Sequence, residues 1–427
     1  MLNETEKCQI INLLKNEVVP AIGCTEPMAV SLCVAKATET LGIFPEKIIV
    51  YLSPNILKNA MGVGIPGTGM VGLPIAIASG ALVGKSEYGL QVLKDLTPAD
   101  VVNGKQLIDD KRISIALKEN IADKLYIEAV CTNGESSATA VIRGEHTNFT
   151  YISKNNDTLL DKKCGDSSVC NQKVDLSFSK VYDFCTTVSI DDIHFMLKAA
   201  ELNSNAAEYS DKGSYGHNVG KAIRGTFGRQ ILGDTLLAHM VSCTAAACDA
   251  RMDGALVPVM SNSGSGNQGI AATLPVLSYA RDTGKGEEEL IRALTLSHLT
   301  AIYIKQKLGR LSALCGCVVA ATGASCGITY LMGGDYSQLT YAVKNMVANI
   351  TGMICDGAKP SCALKISSGV SSATLSAIMA MENKTVSSIE GIVDDCVDKT
   401  IDNLVSIGVE GMLDTDKLVL KIMTCKQ

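Results

Sequence analysis

Five cysteines crowd one stretch of the chain: Cys315, Cys317 and Cys326 in LCGCVVAATGASC, then Cys355 and Cys362 in ICDGAKPSC. Thiolates hold iron–sulfur clusters, and three of them around a 4Fe-4S cluster leave one iron open as a Lewis acid. Cys355 and Cys362, flanked by Gly357 and Pro360, suit a loop wrapped round such a group, with a third ligand from a neighbouring helix. On spacing alone the same thiols are equally compatible with small hydrophobes packed in a core.

A second constellation is Ser261-Asn262-Ser263-Gly264-Ser265-Gly266-Asn267-Gln268-Gly269. Glycines let backbone N–H groups converge while hydroxyls and amides add donors, so Ser263, Gly264, Ser265 and Asn267 are candidate contacts to a carboxylate or phosphate. No lysine follows as in a Walker loop, which disfavours a nucleotide. Residues 62–69 (GVGIPGTG) carry the same argument less firmly. Cys24, in Gly23-Cys24-Thr25-Glu26-Pro27, falls in a sharp turn at or near a helix N-terminus, where the helix dipole favours a thiolate. Among His146, His194, His217, His239 and His298, only His217 sits among loop residues that could line a site. Cys164 and Cys170 are too widely spaced for a zinc half-site and read as part of a polar loop.

Elements must bring these groups together. Ile10, Leu13, Leu14 and Val18 form a helical stripe that stops at Pro20, and residues 28–41 read as a second helix. Between about residues 47 and 174, KIIVYLS, KLYIEAVC, SATAVIRG and NFTYIS are short, β-branched and bounded by turn residues, as strands are. A polar stretch, residues 153–173, closes that region. From residue 190 onward nearly every segment has helical period, and strand-like runs are missing. The expected fold is α+β with two domains: a helical catalytic domain of residues 1–45 and 180–427, and a small α+β domain inserted at 46–179.

Composition narrows the function further. At 427 residues the chain exceeds the usual size of one core. With 38 glycines and no tryptophan, small and aliphatic side chains must fill the interior. The net charge of -6, with no basic cluster interleaved with aromatics, argues against nucleic acid. Residues 59–84, 254–280 and 311–334 carry no charge, but their glycines, prolines and polar runs do not suit lipid, so no membrane insertion is expected; they read as buried segments converging on one interior site. The opening MLNETEKCQ lacks a basic and apolar leader, which points to the reducing cytoplasm and to sixteen free thiols.

The combination of Gly23-Cys24-Thr25-Glu26-Pro27, SNSGSGNQG, LCGC and ICDGAKPSC, in that order across essentially the whole chain, resembles the L-cysteine desulfidases, which are themselves similar to the iron–sulfur L-serine dehydratases of bacteria. The resemblance implies a 4Fe-4S cluster held by Cys315, Cys355 and Cys362, with Cys317 an alternative to Cys315, and Cys24 as the base. It implies L-cysteine as substrate, bound by its carboxylate in the Ser263 to Asn267 loop, and elimination of sulfide to give 2-aminoacrylate, then pyruvate and ammonia. The Cys-Asp-Gly of residues 355–357 stands where the dehydratases have Cys-Asp-Pro, with a shorter gap to the next cysteine. L-Serine dehydration, a non-catalytic iron–sulfur redox sensor and a pyridoxal-phosphate lyase are the competing readings, and a homodimer is the expected assembly.

Overall fold

The computed structural model describes residues 2–119, 121, 123–162 and 174–426; Cys164 and Cys170 lie outside them. The fold is α+β, with one six-stranded sheet and a large body of helices.

Helix Glu4–Glu17 starts from a capping box, in which the Asn3 side chain accepts the Glu6 N–H and the Glu6 carboxylate accepts the Asn3 N–H. Ile10 and Leu14 bury its inner face. The chain then runs as a strand, Pro20–Ile22, paired antiparallel with Pro258–Met260. This ribbon corrects the expectation that no strand follows residue 190. Three residues are too short to show a period of two, yet the pairing ties the Cys24 turn to the Ser/Gly loop. Gly23, at φ +71°, makes the turn after it; a Cβ there would stand 2.4 Å from Pro66 Cγ.

Helix Thr25–Leu41 follows and stops at left-handed Gly42. It packs on the sheet, whose strands lie in the order Ile113–Leu117, Lys47–Leu52, Tyr126–Asn133, Ser136–Arg143, Phe149–Lys154, Asp157–Asp161. All neighbours are antiparallel except the first pair. Alternation along Lys47–Leu52 sends Ile48, Val50 and Leu52 inward. The two outermost strands escaped the sequence reading. Ile113–Leu117 is only half-buried, and Asp157–Asp161, inside the stretch expected to be loop, turns four of its five side chains to solvent.

Buried apolar side chains form two large clusters. One holds Met28 to Leu41 with the sheet; the other holds Leu2 to Val18 and the helices from Phe178 onward. Cys24, at the head of Thr25–Leu41, belongs to the second cluster while the body of its helix belongs to the first. The three charge-free tracts meet at this seam. Gly64 lies so close to the Asp253–Gly254 backbone that a Cβ would stand 2.3 Å from Asp253 C, and Gly316 abuts the Gln268 side chain. Among the described residues one helix, Cys362–Met381, is long and apolar enough to cross a membrane; its inner face packs on helices Leu236–Met252, Gly316–Leu331 and Tyr336–Ile350.

Candidate active site

Cys24 is the N-cap of helix Thr25–Leu41, but its side chain makes no capping bond. Its Sγ donates instead to Glu26 Oε2 at 3.0 Å. Thr25 Oγ1 donates to the same oxygen at 3.0 Å, and Asn59 Nδ2 donates to Glu26 Oε1 at 3.0 Å. Burial opposes ionisation of Glu26, but His146 and the Cys24 and Thr25 hydrogen bonds outweigh it and hold the carboxyl below its ordinary value of 4.5. Burial and the neighbouring Glu26 carboxylate push the Cys24 thiol well above its ordinary value. The position expected of Cys24 is met, but the expected thiolate is not. A helix terminus stabilises an anion by a fraction of what complete burial beside a carboxylate costs. The resting pair is therefore a thiol bonded to a carboxylate.

The Ser/Gly loop faces this pair, with Gly264 O accepting from Thr25 Oγ1 at 3.0 Å. Its groups have different partners. Ser263, at φ +50°, bonds Asn262 Oδ1 at 2.9 Å and lines a cavity of about 600 Å3 with Glu17, Glu145, Lys305, Gln306 and Arg310. Ser265 caps helix Gly266–Asp282 by accepting the Gln268 N–H. Asn267 Oδ1 accepts from Arg251 at 2.9 Å, and Arg251 also donates to Gly23 O at 2.8 Å. Gly264 stands against Arg310 and His146. Of the four candidate contacts, only Ser263 reaches the cavity.

His146, buried at this seam, overturns the expectation that only His217 could line a site. His217 lines a separate apolar pocket with Val219, Ile231 and Leu364. Burial keeps the His146 imidazole below its ordinary value, and its Nε2 has no hydrogen-bond partner. Asn59 Oδ1, Arg251 Nε and Gln268 Oε1 are likewise buried and unpartnered. Such buried, unpartnered atoms mark where a bound molecule or solvent completes the hydrogen bonding.

The thiols come from three segments. Cys315 is the N-cap of helix Gly316–Leu331, and its N–H donates to Met353 O at 3.0 Å. The Cys355 N–H donates to Ala313 O at 2.6 Å, and a bridge joins Leu314 to Ile354. This pairing sets Cys315 and Cys355 side by side. Cys362 opens helix Cys362–Met381, its Sγ 3.7 Å from Gly357 O. Burial and then the charge of Cys355 push Cys315 up to about 12, and Cys362 is raised by burial with Cys355 contributing. The three thiols thus feel one another. Cys317 has another use: its Sγ donates to Lys365 O at 3.2 Å, and a Cβ on Gly369 would stand 2.5 Å from it. Among the described residues no three His, Cys, Asp or Glu side chains are close enough to hold a single metal ion.

The thiol loop is braced. Asp356 bonds Lys359 and Lys365; burial opposes its charge, but the two lysines hold its carboxyl at about 2. Lys58, buried beneath, donates to Cys355 O at 3.4 Å and pairs with Asp416 from the C-terminal helix Leu413–Thr424. Asp416→Ala strands a buried ammonium, and we expect it to destabilise the protein by about 3 kcal/mol, the low end for a broken buried pair because Asp416 is 22% exposed. Thermal unfolding beside Lys58→Met/Asp416→Ala checks this: removing both charges should recover most of the loss.

Glu26, Asn59, Arg251, His146 and Lys305 have no role in the sequence reading. Glu26 stood within a quoted motif, and Arg251 and Lys305 are charged residues set in otherwise apolar helical windows, a signal that burial of the whole window would have exposed.

A family model for the serine dehydratase alpha chain matches residues 87–421. A UPF0597 protein of Bacteroides fragilis is 64% identical over 426 residues, and one of Phocaeicola vulgatus is 66% identical over 431, each covering 100% of both chains. A UPF0597 protein of Oleidesulfovibrio alaskensis is 44% identical over 424 residues and 99% of both chains. The family model spans the Ser/Gly loop and the thiol segments, the relatives span the Cys24 turn as well, and the chain belongs to the serine dehydratase alpha chain family.

Proposed function

We propose that this chain is a 4Fe-4S-dependent lyase that eliminates sulfide from L-cysteine, with Cys315, Cys355 and Cys362 as cluster ligands and Cys24 as the group that takes the Cα proton. The observation that carries the reading is the backbone pairing that sets Cys315 beside Cys355, in a chain whose Cys24 thiol is bonded to the Glu26 carboxylate.

The donor set fits the cluster. Cys315, Cys355 and Cys362 are soft ligands held by a backbone bridge and a helix start, and Lys365 supplies countercharge. Cys317, committed to Lys365 O, is the weaker choice beside Cys315. When bound, a cluster with three thiolate ligands supplies an iron with an open position, a Lewis acid that makes sulfide a better leaving group.

The rest is the work of this chain's own side chains. Ser263, which lines the cavity, belongs to the loop whose Gly264 O accepts from Thr25 beside Cys24, and it binds the amino acid. No preformed thiolate is needed: as the Cα–H proton passes to Cys24 Sγ, the thiol's own proton passes along its hydrogen bond to Glu26 Oε2. The electrons of the Cα–H bond form the Cα–Cβ double bond, and the Cβ–S pair leaves with sulfide. The product, 2-aminoacrylate, tautomerises and hydrolyses to pyruvate and ammonia without the enzyme.

L-Serine dehydration is the second reading, favoured by the description of the matching family model. Relative kcat/KM under anaerobic conditions separates the two. L-Cysteine exceeding L-serine tenfold or more supports the desulfidase; the reverse order makes the chain a serine dehydratase.

A further inference from the structure

Among the described residues around the seam, Arg310 pairs with Glu17, Lys58 with Asp416, Lys359 and Lys365 with Asp356, and Arg251 donates to Gly23 and Asn267. Lys305, on helix Glu287–Leu308, makes no hydrogen bond or ion pair with any described residue, although it is only 6% exposed. Lysines are almost never buried unpaired, because an uncompensated ammonium is costly away from water. Its surroundings register that cost: burial lowers the ammonium to about 8.

The position of Lys305 says what would pay. It lines the 600 Å3 cavity with Ser263, Gln306 and Arg310. That cavity also carries Glu17 and Glu145, and Arg310 is already committed to Glu17. The Ser/Gly loop has little left to offer an anion, since Ser265 and Asn267 are spent on the helix cap and on Arg251. A hydroxyl such as that of Ser263 orients a carboxylate but supplies no charge to balance it. We propose that Lys305 is the anchor for the α-carboxylate of the amino-acid substrate, with Ser263 beside it, an inference that rests on the lyase reading above. The anchor selects α-amino acids over amines that carry the same thiol.

The test uses the whole enzyme purified anaerobically, as wild type, Lys305→Met and Lys305→Arg. Methionine fills similar space without the charge, so folding should not suffer. Iron content and calorimetric binding of L-alanine, which keeps the carboxylate, and of cysteamine, which lacks it, are measured beside the KM for L-cysteine. The expected result is unchanged iron and unchanged cysteamine binding in Lys305→Met. L-Alanine affinity should weaken, and the L-cysteine KM rise, by roughly 10- to 100-fold, the effect of losing a charged hydrogen bond. Lys305→Arg should recover most of it. Loss of iron in Lys305→Met would make the lysine a countercharge for the cluster and overturn the anchor, as would L-alanine binding that is unchanged or that weakens no more than cysteamine binding. A wild type that turns over neither amino acid defeats the lyase reading by itself, and L-alanine binding still decides the anchor.

Discussion

Cys24→Ala should lower kcat for L-cysteine by at least about 100-fold, the smaller end of what a positioned proton-transfer group contributes, while iron content stays at the wild-type level. The thiol donates to Glu26 Oε2. Its removal leaves Glu26 bonded to Thr25 and Asn59, so the buried charge remains compensated and the fold should hold. Glu26→Gln is the complementary change. The amide cannot take up the thiol proton, so the relay fails with Cys24 present and a comparable loss is expected. The pH dependence follows from the same pair. A carboxyl held below 4.5 when folded contributes stability that is present above 4.5 and lost as pH falls through the folded value. Neither unfolding of the clusterless protein nor loss of the relay through Glu26 protonation is expected between pH 7 and about 5. A limb centred near neutrality that persists in Cys24→Ala would show that another group governs proton transfer.

The second large effect is on the metal. Cys355→Ala should abolish the visible absorption and the bound iron and reduce activity to background, and Cys362→Ala should do the same. An iron–sulfur cluster with an open iron has no ligand to spare. The backbone bridge that presents Cys355 uses its N–H, not its thiol, so the loop geometry survives the substitution. Cys317→Ala is the control. That sulfur is engaged with Lys365 O and packed on the Gly369 backbone, so its loss should cost stability by roughly 1–2 kcal/mol and leave the colour. A brown Cys355→Ala protein beside a colourless Cys317→Ala protein would reverse the ligand assignment.

Much of this was legible in the chain because local chemistry and tertiary structure agree. Gly23 and Pro27 bracket the start of Thr25–Leu41 and Gly42 its end, so that helix and the place of Cys24 could be read directly. Lys47–Leu52 and Tyr126–Asn133 alternate because one face is buried. Asp157–Asp161 does not, since little of it is buried, although Asn155 and Asn156, both at positive φ, form the hairpin turn that announces it. Pro20–Ile22 and Pro258–Met260 are strands only because each has the other. The site divides in the same way. Cysteines and a glycine-rich loop are visible as types and spacings, but Glu26, His146 and Lys305 matter through burial and through what they face, which no spacing encodes. The charge of Cys24 was misjudged for that reason: helix ends are local, whereas the Glu26 carboxylate and the closed surroundings that keep it a thiol are tertiary.

The most direct measurement is iron content together with sulfide and pyruvate released from L-cysteine by the wild-type protein kept strictly anaerobic. The expected result is a brown protein that releases sulfide and pyruvate in equal amounts and loses both on exposure to air. A protein that forms no cluster on reconstitution with iron and sulfide, or that eliminates sulfide equally well without iron, would contradict it.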